Sequence, residues 1–333
     1  MAKILIKKGD KGTLVGLIQE KLKVQKTEFF GDKTYNAVVA FQKLKKLDID
    51  GKVGDDTLTA LGIENPEQYL STDVSKISET VKASQNTLGS TKNVEINGVA
   101  VSELMLDKDE YFPASLDKVW LFLHHTAGSS DPYAVAKNWN NDTRGRIATE
   151  FIIGGKSTKG DSTNDGVILR CMPKGSWAYH LGDNGNKDLH PLSVGVEVCN
   201  YGWLTKGGYK KDGKWIVKNP NSFFNYVGGE VPADQVCDLG YDFRGSQYYH
   251  AYTDKQIESL KTLILLIAKT HPKIDIKKGM LEFLTKDPKT AFDFKQDAYS
   301  GKIKGILSHI HVRKDKTDMY PCPKLIKMLL SLG

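Results

Sequence analysis

Cysteine is scarce in this chain of 333 residues, and the four that occur follow no recognisable pattern. Cys171, Cys199, Cys237 and Cys322 are far apart and unevenly spaced, which argues against both a compact disulfide framework and a Cys-x-x-Cys zinc site. Reduced thiols in a protein made in the cytoplasm are the interpretation that fits this spacing best.

Long apolar runs are also absent from the sequence. The longest, residues 263–268, is far shorter than the roughly 20 residues that span a bilayer. The first ten residues, MAKILIKKGD, pass directly from a short apolar stretch to charged residues, which is not the pattern of a signal peptide. We therefore expect a protein without membrane insertion that is made in the cytoplasm and leaves it, if at all, by another route.

Dense basic runs interleaved with aromatic residues do not occur either. The formal net charge of +7 is spread along the chain, and charged residues make up 26% of it. This pattern disfavours nucleic acid as a partner, whereas a mildly basic surface suits a polyanionic polymer such as a bacterial cell wall. What the chain does contain is 40% hydrophobic residues, over a length sufficient for two domains.

Residues 1–63 are predicted to form a small all-α domain of three helices. Apolar residues recur at helical spacing in residues 14–22 and again in residues 34–47. A Gly-Asp-x-Thr phrase stands at residues 31–34 and returns at residues 54–57. In each copy glycine permits a turn, and we expect the Asp and Thr side chains to cap the helix that follows.

The string FGDKTYNAVVAFQKLKKLDIDGKVGDDTLTALG in this region resembles the small helical peptidoglycan-binding domain found at the ends of cell-wall hydrolases. The match includes Phe30, Phe41, Gln42 and Gly54, and it departs from the family at Leu58, where Trp is usual. The resemblance implies that bacterial peptidoglycan is a partner of this domain.

Residues 64–110 are interpreted as a linker or a loosely docked segment, because residues 64–93 are rich in Ser, Thr, Asn, Glu and Lys. Alternation around Asn97 and Gly98 predicts a hairpin at residues 94–101. From residue 111 to 333, strands alternating with helices predict a mixed α/β domain. The predicted strands are 119–123, 147–154, 166–170 and 192–199, and the predicted helices are 133–139, 252–271 and 324–332.

Two histidine-bearing stretches in this second domain are candidates for chemistry. Residues 119–128, VWLFLHHTAG, are typical of a buried strand that ends in His124 and His125 just before a turn. A zinc hydrolase needs three His, Asp, Glu or Cys ligands and an open position for water, and a distant cluster can complete such a set. Residues 307–323, LSHIHVRKDKTDMYPCP, contain five further candidates: His309, His311, Lys316, Asp318 and Cys322.

Residues 120–323 resemble the zinc-dependent N-acetylmuramoyl-L-alanine amidases. LFLHHTAG is similar to the family's first zinc-ligand strand, in which the first His of the pair is the ligand, and SHIHVRKDKTDMYP is similar to its second cluster. The resemblance implies an α/β mixed-sheet zinc amidase domain, with Zn²⁺ as the cofactor bound by His124, His309 and Asp318. It also implies cleavage of the amide between N-acetylmuramic acid and the L-alanine of the stem peptide.

The same resemblance implies roles for four more residues. SVGVEV is similar to a strand that carries a catalytic carboxylate, which falls on Glu197, and a carboxylate there can accept a proton from the attacking water. Lys316 falls on the family's substrate-side lysine and is expected to hold developing negative charge. WAYHLG is similar to the family's Trp-His-Ala-Gly phrase, so His180, together with His125 beside the first ligand, is expected to contact substrate.

Alternatives remain at three positions. Cys322 is a reserve for Asp318 as the third ligand, and His311 is a rival ligand two residues after His309. The family's catalytic Tyr falls on Thr149, which has no phenol.

The whole chain is interpreted as a phage endolysin. It would be made in the bacterial host cytoplasm without a signal peptide and act on the wall after release. The alternative functions are a non-catalytic peptidoglycan receptor and a zinc endopeptidase that acts on the stem peptide. Nothing in the sequence indicates an oligomeric state.

Overall fold

The structure is a computed structural model that describes residues 5–66, 69, 91–142, 145–182 and 185–333. Residues 67–68 and 70–90 of the predicted linker lie outside the described residues. The chain divides into two compact units, a small N-terminal one and a larger one that continues to residue 333. No helix in the described part of the chain is both long enough and apolar enough to cross a membrane.

The N-terminal unit is the predicted all-α domain, and its three helices are confirmed. They surround one apolar core, because each helix has a single buried face. The helices are α1 (Thr13–Lys21), α2 (Asp32–Lys45) and α3 (Asp55–Ala60). The most buried core residues include Leu14, Val15, Ile18, Phe30, Val38, Val53 and Leu58.

The repeated Gly-Asp-x-Thr phrase serves a purpose other than the predicted capping. Helices α2 and α3 each begin after glycine with no side-chain cap hydrogen bond. Instead, the threonine of each copy binds a buried glutamine fifteen residues before it. Gln19 Nε2 donates to Thr34 Oγ1 at 2.9 Å, and Gln42 Nε2 donates to Thr57 Oγ1 at 3.3 Å. The two halves of the domain therefore repeat the same buried polar contact.

The larger unit is the predicted mixed α/β domain, built on fourteen strands within the described residues. The strands are β1 (Lys92–Ile96), β2 (Val99–Glu103), β3 (Trp120–His125), β4 (Phe151–Ile153), β5 (Ile168–Arg170), β6 (Ser193–Val198), β7 (Trp203–Lys206), β8 (Gly208–Lys211), β9 (Lys214–Val217), β10 (Phe223–Phe224), β11 (Glu230–Val231), β12 (Val236–Phe243), β13 (Ser246–His250) and β14 (Gly305–Ser308).

Seven of these strands form the main sheet, in the order β1-β2-β5-β4-β6-β3-β14. The four strands β4, β6, β3 and β14 are parallel neighbours, whereas β4 and β5 are antiparallel. The predicted hairpin is present as β1 and β2, and β2 pairs with β5. This part of the predicted segment 64–110 is therefore built into the sheet. The strand predicted over residues 147–154 is shorter, Phe151–Ile153, because only those residues pair with β5 and β6.

Six further helices are described in the larger unit. They are α4 (Pro132–Asn140), α5 (Asp254–Thr270), α6 (Met280–Lys286), α7 (Gln296–Tyr299), α8 (His309–Val312) and α9 (Pro323–Leu330). Helix α5 begins after Thr253, which caps it: the Thr253 side chain accepts from the Gln256 backbone N–H, and the Gln256 side chain accepts from the Thr253 backbone N–H. Its apolar face packs on the main sheet in the largest buried cluster of the domain.

Residues 201–250 form an accessory region to which the sequence analysis assigned no element. Five short strands make a second sheet in the order β11-β10-β7-β13-β12, and β8 and β9 form a separate two-stranded ribbon. These strands are only two to eight residues long, so they give little periodic signal in the sequence.

Candidate metal centre

The two histidine-bearing stretches are neighbours in the main sheet. Strands β3 and β14 run parallel, with Leu123 paired to Ser308. The residue after each of these is a histidine, His124 and His309. Because the carboxyl ends of parallel strands meet at one edge of a sheet, this register places the two imidazoles side by side.

Asp318 completes a triangle of donor atoms with these histidines. His124 Nδ1 lies 3.3 Å from His309 Nδ1 and 3.4 Å from Asp318 Oδ2. His309 Nδ1 lies 3.1 Å from Asp318 Oδ2. The Ile310 backbone N–H donates to the Asp318 carbonyl at 3.1 Å, which folds the loop back over the start of α8. All three side chains are buried.

The chemistry and spacing of these atoms fit a metal ion. Two imidazole nitrogens and one carboxylate oxygen are a ligand set of tetrahedral zinc, with bonds of about 2.0–2.2 Å, which separates ligands by about 3.3–3.6 Å. Three lone pairs converging without a cation would repel one another. Among the described residues, this is the one group of three or more His, Cys, Asp or Glu side chains close enough to bind a single ion.

A backbone carbonyl fixes the tautomer of His309. Its Nε2 donates to the Leu181 carbonyl at 3.2 Å, and a carbonyl can only accept. In the neutral ring Nε2 therefore has the proton and Nδ1 keeps its lone pair. Arg313 Nη1 donates to the same carbonyl at 2.8 Å and holds it in place. This hydrogen bond leaves Nδ1 as the nitrogen of His309 that could bind a metal.

Burial and mutual proximity set the charges of the group. Burial lowers the pKa of His124 to about 4, so its imidazole is neutral near pH 7. Burial alone would raise the pKa of Asp318, but His309 and His124 hold it well below its usual value. A neutral imidazole and an ionised carboxylate are the forms in which these side chains bind metals.

Glu197 lies beside this group. It is paired with His124 across β6 and β3, and paired residues of a sheet point to the same face. Its Oε2 atom is buried and has no hydrogen-bond partner among the described residues. Burial, assisted by the charge of Asp318, raises the pKa of Glu197 well above its usual value, and Lys316 opposes this rise. Such a carboxyl group can accept and hold a proton near pH 7.

Lys316 lies in the loop before Asp318 and is half-buried. Its positive charge reaches this site, since it lowers the pKa of Glu197 and of His124. Arg244, in the accessory region, fixes this loop: its Nη1 donates to the carbonyls of Lys314 at 2.9 Å and Lys316 at 2.6 Å.

The two residues predicted to contact substrate have other partners. His125 follows His124 on the strand and so points to the opposite face, where its Nδ1 lies 3.0 Å from Tyr252 Oη. His180 is half-buried, with Nδ1 3.0 Å from His124 Nε2 and Nε2 2.8 Å from Ser193 Oγ. Their contact with substrate stays a prediction.

The rival ligands are also engaged elsewhere. His311 Nδ1 accepts from the Ser308 backbone at 2.9 Å, and its Nε2 donates to the Ala291 carbonyl at 2.8 Å. The Cys322 thiol is buried, and its interaction with Cys237 lowers its pKa. Among the alternatives left by the sequence, the geometry thus groups Asp318 with the two histidines.

Thr149, at the position of the family's tyrosine, is buried, and its hydroxyl donates to the Phe151 carbonyl at 2.8 Å.

Three residues that support the site were missed by the sequence analysis. Leu181 contributes through its backbone carbonyl, which no side-chain pattern reveals. Arg244 lies in the accessory region, where no element was assigned. Ser193 was the detectable one, because it is a polar residue that begins an otherwise apolar buried strand.

Comparisons with known proteins agree with both units. A family model described as a peptidoglycan binding domain matches residues 11–61, and the N-acetylmuramoyl-L-alanine amidase model matches residues 118–321. No curated protein matches the sequence closely enough to be counted as a relative.

Two solved structures are similar over 69% of this chain. The catalytic domain of XlyA has 14% identity, 97% of its own chain covered and a TM-score of 0.34. AmpDh3 from Pseudomonas aeruginosa has 18% identity, 66% of its chain covered and a TM-score of 0.35.

The amidase family model covers more than half of the chain, including every residue of the donor triangle. With a peptidoglycan-binding domain before it, this chain belongs to the N-acetylmuramoyl-L-alanine amidase family and is a modular enzyme that hydrolyses peptidoglycan.

Proposed function

We propose that the amidase domain is a zinc enzyme whose metal is bound by His124, His309 and Asp318. The observation that supports this most is the triangle of three buried donor atoms 3.1–3.4 Å apart. When bound, zinc supplies a Lewis acid and lowers the pKa of a water molecule toward about 7.

We propose that Glu197 is the general base and then the general acid. Its unpartnered Oε2 lies on the same sheet face as His124, so it can take a proton from the attacking water. The raised pKa means that the carboxyl group can keep this proton until the amide nitrogen leaves as an amine. Without that proton the leaving group would be a strongly basic amide anion.

We propose that Lys316 stabilises the negative charge that develops on the carbonyl oxygen. The side chain is a cation in a half-buried loop, where a charge interacts more strongly than in bulk water. The two hydrogen bonds from Arg244 fix the backbone of this loop, so the lysine starts from a defined position.

We further propose that the chain acts as a phage endolysin, made in the host cytoplasm and acting on the wall after the membrane is breached. The combination of a wall-binding and an amidase domain supports this proposal. Lysis of cells only after membrane permeabilisation from within, by the chain expressed in them, would agree with it. Lysis that needs no permeabilisation would contradict it.

The first experiment compares the chain with its His309→Ala variant for zinc content and for clearing of a purified peptidoglycan suspension. One zinc per chain, with zinc and clearing both lost in the variant, is the expected result. If the original chain binds the cell wall but contains no zinc and does not clear the suspension, the non-catalytic peptidoglycan receptor would be favoured. Product analysis tests the bond, because an amidase frees N-terminal L-alanine whereas an endopeptidase frees amines further along the stem peptide.

A further inference from the structure

Both ring nitrogens of His180 are used within the protein. Nδ1 is 3.0 Å from His124 Nε2, and Nε2 is 2.8 Å from Ser193 Oγ. Neither nitrogen is left to bind substrate. The ring joins a proposed metal ligand to a buried hydroxyl, which gives a chain of hydrogen bonds that starts at His124.

This series of hydrogen bonds has a defined donor-to-acceptor direction because it ends on a backbone carbonyl. Ser193 Oγ lies 3.2 Å from the His190 carbonyl oxygen, which can only accept. The serine gives its single proton to that oxygen, so Ser193 Oγ accepts from Nε2–H of His180. In the neutral ring, His180 Nδ1 is then an acceptor. It receives the proton of His124 Nε2, and His124 Nδ1 keeps its lone pair.

Leu181, the residue after His180, sets the tautomer of His309 in the same way. The Leu181 carbonyl accepts from His309 Nε2 at 3.2 Å, which leaves His309 Nδ1 unprotonated. Two consecutive residues of the WAYHLG phrase therefore select the ligand tautomers of both histidines.

The surroundings hold these two acceptors in position. The His180 backbone N–H donates to His190 Nδ1 at 3.2 Å. Gly195 faces the His180 ring, and an added Cβ there would lie 2.7 Å from Thr149 Cγ2 and 3.3 Å from His180 Cγ. At Gly182, with φ of +69°, an added Cβ would lie 2.1 Å from the Arg313 guanidinium that braces the Leu181 carbonyl. Larger residues at either glycine would displace the support.

We propose that His180 and Ser193 are positioning residues that preset His124 in the tautomer that binds the metal, rather than residues that bind substrate. This inference rests on the proposed zinc site and adds to it the means by which the site is prepared. Outer partners of this kind typically change metal affinity by about 10- to 100-fold.

The test measures zinc affinity of the full chain by competition with a chromophoric chelator, independently of activity. His180→Leu removes the acceptor, whereas His180→Asn is smaller but offers an amide oxygen near the position of Nδ1. We expect the Leu variant to bind zinc about 10- to 100-fold more weakly, and the Asn variant to recover most of this loss. The visible spectrum of the cobalt-loaded chain should change in the Leu variant and return toward the original in the Asn variant.

Two further variants separate positioning from general disruption. Ser193→Ala removes the last hydroxyl of this series of hydrogen bonds and leaves both histidine rings in place. We expect it to weaken zinc binding by about tenfold. It also provides the test if His180→Leu does not fold. His271→Leu, at a buried histidine without contact to the donor triangle, should bind zinc normally.

The outcomes distinguish this inference from the proposed function. If folded His180→Leu and Ser193→Ala bind zinc as tightly as the original chain, the positioning role is wrong, and a rise in KM alone would then return His180 to substrate binding. If the original chain takes up no zinc at all, the proposed metal site itself is wrong and this inference falls with it.

Discussion

Two clusters of buried polar side chains, one in each unit, differ in whether their hydrogen-bonding capacity is used up. In the helical domain, Gln19 Nε2 has three acceptors within hydrogen-bonding distance for its two protons, namely two threonine hydroxyls and a backbone carbonyl. Its Oε1 accepts from two backbone N–H groups. In the amidase domain, three lone pairs converge on one point and Glu197 Oε2 has no partner among the described residues.

This difference distinguishes buried polar groups that stabilise the fold from those that are available to bind or react. A satisfied buried polar group contributes to stability and has nothing left to offer a ligand. An unsatisfied one costs stability and persists where it binds or reacts with something else. The comparison therefore predicts that substitutions in the glutamine clusters change stability, and that substitutions around the donor triangle change metal binding and turnover.

The largest effect is expected at Asp318. Asp318→Ala removes one of three proposed ligands, and we expect loss of zinc and a fall in amidase activity of at least about 10³-fold, because the attacking water is no longer activated. Metal analysis and release of L-alanine N-termini measure the two effects. Cys322→Ser is the matched control and should keep zinc. If Cys322→Ser lost zinc and Asp318→Ala kept it, Cys322 would be the third ligand.

Glu197 tests the role of the unpartnered oxygen. Glu197→Gln keeps the size of the side chain but cannot accept the proton, so we expect kcat to fall by about 10²- to 10⁴-fold with zinc content unchanged. Steady-state kinetics on a soluble muropeptide and metal analysis measure this. Unchanged kcat would rule out Glu197 as the general base.

Glu150 is a buried carboxyl that is unsatisfied but lies outside the donor triangle. Its Oε2 has no hydrogen-bond partner in the described part of the chain, and Arg170 Nε is 3.7 Å from its Oε1. Burial raises its pKa to about 7 against the effect of the Arg170 charge. Since the folded chain prefers the protonated form, the stability that this preference contributes is complete below about pH 4.5 and is lost as pH rises through 7.

We therefore expect Glu150→Gln to abolish a pH-dependent loss of about 3 kcal/mol in the free energy of unfolding between about pH 4.5 and pH 8. Chemical denaturation of the amidase domain at a series of pH values, relative to the original chain, measures this. Glu258→Gln, on an exposed part of α5, controls for the removal of one charge. Parallel pH profiles for the Glu150 variant and the original chain would show that this carboxyl is not perturbed.

The smallest effects are expected in the helical domain. Gln42→Ala leaves the Gly51 N–H without its acceptor, and we expect a loss of about 1–3 kcal/mol in the stability of that domain. Gln19→Ala should cost somewhat more, because two backbone N–H groups lose their acceptor. Thermal unfolding measures both, and turnover of a soluble muropeptide should not change. A variant with intact stability but lost wall binding would instead assign Gln42 to the ligand surface.

The sequence was most informative where partners are close along the chain. The three helices of residues 1–63 and the Thr253 cap of α5 depend on contacts within one or two turns, which periodicity and capping patterns describe. The accessory strands were not predicted, because their short pairings across residues 201–250 leave no regular alternation. Even in the helical domain, the threonines predicted as caps bind glutamines fifteen residues away.

At the proposed metal site, the candidate residues could be predicted from recognisable sequence phrases, but their arrangement in space could not. His124, His309 and Asp318 could be named from the sequence through a resemblance, but Cys322 and His311 could not be set aside there. Their partners come from across the fold, such as the Ala291 carbonyl for His311 and Cys237 for Cys322. The same holds for His180, whose partners His124 and Ser193 lie 56 and 13 residues away.

The sequence by itself determined two domains, their classes and the side chains that can bind a metal, because these follow from local patterns of polarity and from short phrases. The tertiary structure decided which of those side chains meet and which ring nitrogen of each histidine is free. The physical reason is that a tautomer depends on the acceptor facing the other nitrogen, and that acceptor is supplied by a distant segment of the chain.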